Sequence, residues 1–330
     1  MKFLNYIHNF RGVAILCIVF GHCVSAFDWS DSPLMEQILM ILLGNGTVLF
    51  VFIAGYLFQH LIDRYEFKDY FVKKLQYVIL PYLICSIPAI LFFVFFQQRW
   101  NVAAGFYGRP WYAQIVMFYL TGAHLAPYWF IPMIFMYYLA SPVLAWIDRH
   151  PQIYYSLPVF VVVSLLIPRA GAGAVFQNFA HFFSVYLFGM LCSHYRAQII
   201  EIIARRASLI MMAVAVLGLS VLDFYTTGHH AAYLQKLVFS ALFLALLYKF
   251  DARIKQTFSL LATTSFGIYF AHSYIISTLK MVYANRTGHY FHGGMLPFLL
   301  LGIFASAASL GVVVLIQTVF KKHSRYIIGS

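Results

Sequence analysis

Long apolar segments recur from one end of this 330-residue chain to the other, and they constrain its fold more than any other feature. A helix needs about 20 apolar residues to cross a bilayer. Charged residues, which are only 10% of the chain, mark the breaks between segments together with Pro and Gly. The ten segments are roughly 9–27, 36–59, 77–97, 128–147, 153–168, 176–195, 207–224, 233–250, 258–280 and 295–320.

Each segment is predicted to be a helix, because an open strand edge would leave backbone groups without hydrogen bonds in hydrocarbon. The sequence therefore predicts an all-α, polytopic integral membrane protein with about ten transmembrane helices. The stretch 111–126 is apolar enough to add a re-entrant or interfacial helix. No polar linker and no soluble appended domain is evident, so residues 1–330 are predicted to form a single transmembrane domain.

The charges in the loops predict the orientation, since Lys and Arg are enriched on the cytoplasmic side. With the N-terminus inside, the inner side holds 15 of the 22 Lys and Arg residues, including Lys2 and Lys255. The outer side holds six, including Lys236. This bias predicts that both termini are cytoplasmic. It also accounts for most of the net charge of +12, so basicity alone does not indicate an anionic ligand, and no nucleic-acid partner is predicted.

Cysteine and histidine spacing predicts neither a disulfide nor a metal site. The cysteines lie in apolar stretches without a C-x-x-C motif, which is typical of packing residues. These are Cys17, Cys23, Cys85 and Cys192. His229 and His230 lie in an outer loop with no Cys or carboxylate near them in sequence, so we predict no metal.

The first segment carries Arg11 and His22, two ionisable residues in a stretch otherwise suited to lipid. Eleven positions are close to three helical turns, so both side chains lie on one face, about 16 Å apart along the axis. Ionisable residues at membrane depth are functional candidates by default. The alternatives are an interfacial cation for Arg11 and a hydrogen-bonded core histidine for His22.

Every carboxylate of the chain falls in a loop or at the end of a segment, so no acid is available to His22 at mid-membrane depth. Burial without a partner charge favours the neutral imidazole. A neutral ring can accept a proton, which suits a general base.

The stretch from Arg11 to His22, RGVAILCIVFGH, resembles the first-helix signature of the membrane acyltransferase 3 family, R-G-(I/V)-A-x-x-x-V-x-x-x-H. Four later stretches are similar to family segments in the same order. They are FVFIAGYLF at 50–58, KKLQYVILPY at 73–82, WFIP at 129–132 with the Tyr and Pro that follow at 138 and 142, and SFGIYFAH at 265–272.

The resemblance implies a ten-helix enzyme of the bacterial inner membrane that moves an acyl group, usually acetyl, from cytoplasmic acyl-CoA to a sugar hydroxyl. Acetyl-CoA would be a co-substrate, and no metal is implied. The acceptor would be a cell-envelope or exported polysaccharide or its lipid-linked precursor, and a glycan synthase or export complex would be a partner. His22 would be the catalytic residue, and Arg11 would organise the donor side of the site.

Three segments of the chain depart from the family pattern. His8 replaces the usual Asp before the Arg, so a salt bridge that would orient Arg11 is missing. Ala54 replaces a Ser and removes its hydroxyl. Lys73 and Lys74 stand where the family has an R-x-x-R motif, and lysine meets a phosphate as a point charge without the arginine fork. We expect both lysines to contact the donor.

Five further residues are candidates for contacts with the acceptor. His181 and His272 lie within predicted helices, where each is either a packing histidine or part of the cavity. Trp129 and Tyr269 are either core aromatics or surfaces on which a sugar stacks. Asp28, at the outer mouth, is either a helix-end acid or a hydrogen-bond partner for a sugar hydroxyl.

Two other functions fit the same intramembrane residues. A secondary transporter could use Arg11 and His22 as part of an anion or proton path. A non-catalytic subunit of a glycan synthase would use the helices for lipid binding or assembly. The family resemblance favours the acyltransferase over both.

Overall fold

The computed structural model describes residues 4–100, 102–226, 230–254 and 257–330. Lys2, Lys255 and His229 lie outside these ranges. The first half of the chain forms α1 Asn5–Val24, β1 Phe27–Asp28, α2 Pro33–Leu43, α3 Thr47–His60, α4 Phe67–Lys74, α5 Leu80–Phe95, α6 Trp111–Thr121, α7 Phe130–Leu139, α8 Ser141–Arg149 and α9 Leu157–Leu166.

The second half forms α10 Val175–His194, α11 Arg196–Ile203, α12 Arg206–Tyr225, α13 His230–Lys249, α14 Asp251–Ile254, α15 Ser259–Thr287, β2 Phe291–His292, α16 Met295–Phe320 and α17 Ser324–Ile327. Short 3₁₀ turns lie at Ile62–Arg64, Pro151–Ser156 and Lys321–His323. A π-helical turn at Leu75–Ile79 joins α4 to α5.

Within the described residues, seven helical segments are long and apolar enough to cross a membrane, or eight if the bent pair α7 and α8 is one span. This count confirms the prediction of a helical membrane protein with several spans. Ten crossings are not established by this count. The predicted segment 153–168 corresponds to the shorter apolar helix Pro151–Leu166, and α15, which covers segment 258–280, is outside the seven. The cytoplasmic location of both termini stays a prediction.

The outer face of α12 shows why these helices belong in lipid. Only 6% of the most apolar 18-residue stretch of this helix is buried inside the protein. Met211, Val214 and Leu217 are each more than half exposed. A continuous apolar surface of this kind is unfavourable in water and suits a lipid contact.

Two predicted single helices are broken in the structure. Segment 36–59 divides into α2 and α3 at Gly44–Gly46, where Asn45 takes a positive φ of 55°. Segment 128–147 divides into α7 and α8, whose axes differ by 55°. Pro142 lies in the first turn of α8, where its missing N–H has no helical partner to lose.

The chain divides into two compact units, one formed by residues 1–60 and 185–313 and the other by residues 61–184 and 314–330. The boundaries fall within α10 and α16. We call them the first unit and the second unit. The single transmembrane domain expected from the sequence remains a prediction.

In the first unit, α1 and α15 pack side by side and run in the same direction. The contacts follow the same order along both helices. His8 contacts Ser259 near the start of the pair, and His22 contacts His272 further along. The pair ends in a two-residue parallel sheet that aligns Phe27 with Phe291.

Gly12 permits the close approach of α1 and α15. A Cβ at this position would lie 2.7 Å from both the Cβ and the carbonyl oxygen of Phe258. That separation is shorter than atoms in contact tolerate, so only glycine fits without a shift. The glycine thus fixes the spacing of the two helices that carry the predicted site residues.

The break between α2 and α3, also in the first unit, is held by a buried cation. Lys236 on α13 is 3% exposed, and its Nζ donates to the carbonyl oxygens of Ile41 and Leu42 at 2.9 and 2.8 Å. These carbonyls belong to the last turn of α2, which has no helical donors for them. Lys236 is therefore a buried cation that serves a helix end, and its assignment to the outer side stays a prediction.

The second unit has a small aromatic core around α5 and α6. Ile90, Phe106 and Phe118 are each at most 4% exposed. The hydroxyl of Tyr82 donates to the carbonyl of Tyr119 at 2.7 Å, which joins the two helices. His124 lies buried in the loop after α6, and its Nδ1 donates to the carbonyl of Phe118 at 3.2 Å.

Candidate functional site

Arg11 on α1 is anchored by α15. Its Nη2 donates to Ser265 Oγ at 3.0 Å, and Ser265 is fully buried. Neither helix contains an Asp or a Glu, so a neutral hydroxyl holds this guanidinium in the place of the missing family aspartate. His8, which replaces that aspartate, lies 3.2 Å from Ser259 Oγ through its Nε2.

His22 lies against a second histidine of α15. The ring centres of His22 and His272 are 5.3 Å apart, with planes inclined by 41°. His272 is fully buried, and its Nδ1 donates to the carbonyl of Ile268 at 3.0 Å. His22 is half-buried. The first unit therefore brings Arg11 and His22 onto one α1 face that packs on a single partner helix.

Tyr269 belongs to the same group of rings. It is 4% exposed, and its ring centre is 6.1 Å from that of His272. Phe266 stacks on it, with ring centres 5.9 Å apart. Tyr269 is therefore packed in the core, although it borders the histidine pair.

Asp28 lies beyond the end of α1, in the two-residue strand β1, and its carboxylate is exposed. The backbone N–H of Ser30 donates to Asp28 Oδ1 at 3.1 Å. This hydrogen bond holds the pKa of the Asp28 carboxyl below its usual value. The group is thus an ionised acceptor at neutral pH.

In the second unit, the predicted donor-binding lysines lie at the end of α4. The Lys74 ammonium lies between the rings of Tyr70 and Tyr138, 5.2 and 5.1 Å from their centres. Lys73, one position earlier, is exposed. The two rings restrict the position of Lys74, whereas the Lys73 side chain is exposed.

Trp129 and His181 also lie in the second unit, on either side of Phe182. The ring of Phe182 stacks on Trp129 at 5.9 Å, and the Arg169 guanidinium lies 4.6 Å from the centre of the Trp129 ring. His181 Nδ1 lies 3.0 and 2.8 Å from the carbonyl oxygens of Ser164 and Ile167. Those carbonyls lie at the C-terminal end of α9. His181 therefore has a structural role, as a hydrogen-bond partner for this helix end. Its predicted contact with the acceptor stays a prediction.

A cavity of about 610 Å³ lies in the first unit at the N-terminal end of α1. Its polar lining comes from Asn5, Tyr6, Arg196, Glu201, Tyr248 and Asp251. One cation and two acids give this lining no excess of positive charge. The cavity is therefore not suited to the polyphosphate of a nucleotide, and we do not place the donor in it.

The four cysteines are free thiols. Cys23 and Cys192 are buried, and Cys17 and Cys85 are half-buried. Among the described residues, no group of three or more His, Cys, Asp or Glu side chains could hold a metal ion.

The sequence did not single out Ser265 as the partner of Arg11, although it lies in the stretch that resembles the late family motif. Helix periodicity could have found it, because Ser265 and His272 are seven positions apart and so lie on one face. Arg169 was also missed, since a loop cation gives no sequence signal for stacking on a distant tryptophan.

A family model described as an acyltransferase domain matches residues 4–318, nearly the whole chain. The class is thus that of the multi-pass membrane acyltransferases. The chain belongs to the acyltransferase 3 family, which confirms the resemblance seen in its motifs. Searches of curated proteins and of solved structures gave no match.

Proposed function

We propose that this acyltransferase moves a short acyl group, acetyl in the first instance, from acyl-CoA to a sugar hydroxyl. The acceptor is a cell-envelope or exported polysaccharide or its lipid-linked precursor, and the enzyme works in the bacterial inner membrane. One observation carries the proposal. Arg11 and His22 lie on one face of α1, and the same helix, α15, contacts both of them.

The proposed chemistry needs one base and no metal. His22 accepts the proton of the sugar hydroxyl while the hydroxyl oxygen attacks the thioester carbonyl. The C–S bond then breaks, and the CoA thiolate takes the proton from His22 to give the free CoA thiol. An acyl-histidine route uses the same atoms in another order, with His22 as nucleophile.

The donor side is proposed to involve Arg11, Lys73 and Lys74. The distance from Arg11 to His22, about 16 Å along the helix, suits the long and thin pantetheine arm. Lys74 is held between two tyrosine rings, so it can offer a fixed positive charge to a phosphate. Lysine provides this charge without the bidentate geometry of arginine.

The acceptor side is proposed to involve Tyr269, His272 and Asp28 in the first unit and Trp129 and His181 in the second. Aromatic faces stack on the apolar faces of sugars. The ionised Asp28 carboxylate can accept hydrogen bonds from sugar hydroxyls. A glycan synthase or export complex is proposed as the partner that supplies the acceptor.

The test is transfer from labelled acetyl-CoA in membranes that carry either the wild-type chain or the His22→Ala variant. Loss of a general base lowers turnover by about 10²–10⁴-fold. His150→Ala is the matched control, because His150 packs on Trp146 at the end of α8 and has no assigned role in transfer. Near-normal turnover by His22→Ala, with equal amounts of folded protein, would overturn the proposal.

The same membranes distinguish the other two functions. A transporter predicts that CoA leaves the melting temperature unchanged and that an ion gradient drives solute uptake. A non-catalytic subunit predicts that His22→Ala keeps acetylation and loses a binding partner. Membership of an acyltransferase family favours the enzyme over both.

A further inference from the structure

His272 has one ring nitrogen whose role the fold leaves open. Its Nδ1 donates to the Ile268 carbonyl, so Nδ1 carries the proton and Nε2 of the neutral ring carries a lone pair. In the part of the chain that the structure describes, this Nε2 is buried and has no hydrogen-bond partner. A buried acceptor without a donor is uncommon and calls for an explanation.

The ring of His22 packs against this histidine across the helix pair. Two imidazoles joined by an N–H···N bond of about 3 Å have ring centres about 5 Å apart. The observed separation is 5.3 Å, which is the spacing that such a bond requires. Parallel packing of α1 and α15 fixes the two rings at the same depth.

In sites where histidine acts as a base, its second nitrogen usually donates to an orienting group, most often a carboxylate. Here no residue of α1 or α15 is Asp or Glu. His272 Nε2 is a neutral acceptor in the position that such a carboxylate would take.

We infer that His272 is the positioning residue for His22, with its Nε2 accepting the N–H of one His22 nitrogen. This inference rests on the proposed role of His22 as the base. The bond selects one tautomer of His22 and turns the lone pair of its other nitrogen toward the acceptor hydroxyl. When His22 holds the transferred proton, the same bond becomes charge-assisted and stronger. His272 itself neither gains nor loses a proton.

The bond to Ile268 is essential to this role, because it prevents the His272 ring from turning. It also fixes the tautomer of His272, so that Nε2 cannot become a donor. This role acts through His22, and the proposed contact of His272 with the acceptor stays a separate prediction.

The experiment uses the full chain purified in nanodiscs, with ¹⁵N-labelled histidine and steady-state kinetics. In the wild type, the ring nitrogens of His22, assigned by comparison with His22→Ala, should show a single tautomer. His272→Phe should show a mixture of tautomers and a kcat lower by about 10- to 100-fold, with KM for acyl-CoA unchanged. His272→Gln should recover most of kcat, because its amide oxygen can accept the same N–H.

His124→Phe is the matched control. His124 is also a buried histidine whose Nδ1 donates to a helix carbonyl, and its Nε2 likewise lacks a partner within the described ranges. It packs against Phe118 in the aromatic core around α5 and α6 and has no proposed role in transfer, so kcat and the His22 spectrum should not change.

Several results would overturn the inference. One is a tautomer mixture for His22 in the wild type, which can be read even if a variant does not fold. Another is an equal loss of kcat in the Phe and Gln variants with the His22 spectrum unchanged, which would show a packing role. An active His22→Ala enzyme would instead remove the proposed base, while the spectrum would still report whether the two rings bond.

Discussion

Arg11 donates from Nη2 to Ser265 Oγ at 3.0 Å, and this bond joins the same two helices that bring His22 and His272 together. The guanidinium is thus oriented by a neutral hydroxyl. A hydroxyl leaves the positive charge of Arg11 uncompensated and available to an anionic part of the donor. An aspartate at the family position would neutralise it in part.

Ser265→Ala should weaken donor binding, because the Arg11 guanidinium loses its fixed partner. A hydrogen bond to a charged group contributes about 1.5–3 kcal/mol, so we expect KM for acyl-CoA to rise by roughly tenfold or more, with a smaller change in kcat. Thr264→Val is the control, since the Thr264 hydroxyl donates to Leu260 of its own helix. Equal KM values for both variants would contradict the role of Ser265.

Gly12→Ala should destabilise the first unit. The new Cβ would lie 2.7 Å from the Phe258 carbonyl oxygen, so α1 and α15 must separate. Overpacking of this kind costs about 1–3 kcal/mol, and the shift should also lower turnover. Gly218→Ala on α12 is the control, because nothing lies within 4 Å of its Cβ position. Thermal unfolding in detergent measures both, and a melting temperature that is no lower for Gly12→Ala than for Gly218→Ala would argue against the close approach.

Lys236→Met should destabilise the break between α2 and α3. It removes the donor for the carbonyl of Leu42 and one of two donors for the carbonyl of Ile41, which also accepts from Gln235 Nε2 at 3.3 Å. An unsatisfied buried group costs about 1–3 kcal/mol. Lys249→Met, at the exposed end of the same helix, should have little effect. Thermal unfolding and protease sensitivity near residue 45 are the measurements. Unchanged values for Lys236→Met would show that the cation is dispensable.

Acidic pH should destabilise the second unit through His124. Burial lowers the pKa of His124 from 6.5 to about 3. Above pH 6.5 the ring is neutral in the folded and the unfolded chain, so the full stability is present there. As the pH falls from 6.5 toward about 3, only the unfolded chain binds the proton, and the free energy of unfolding decreases.

His124→Phe should reduce this loss, by about 2 kcal/mol at roughly pH 5, because each pH unit below the unfolded pKa costs about 1.4 kcal/mol. Melting temperatures at neutral and acidic pH for both proteins are the measurement. The same fall in melting temperature for wild type and variant would assign the acid sensitivity to another group.

The sequence by itself determined the class of this protein and most of its helices. Apolar segments of membrane length can be read without any tertiary information, because in lipid the backbone must bond within each segment. The spacing of Arg11 and His22 placed them on one face for the same local reason. The motifs from Arg11 to His272 were enough to indicate the family.

Only the tertiary structure decided what those residues contact. The Gly-Asn-Gly sequence at 44–46 is a local turn signal in the span 36–59, but it does not show that Lys236 from a distant helix supplies the donor that stabilises the broken end. Nor does the chain order show that α15 is the helix that supplies Ser265 to Arg11 and His272 to His22. Such partners are set by the packing of helices 194 to 254 residues apart, and that packing depends on surfaces and on Gly12, where a Cβ would clash with Phe258.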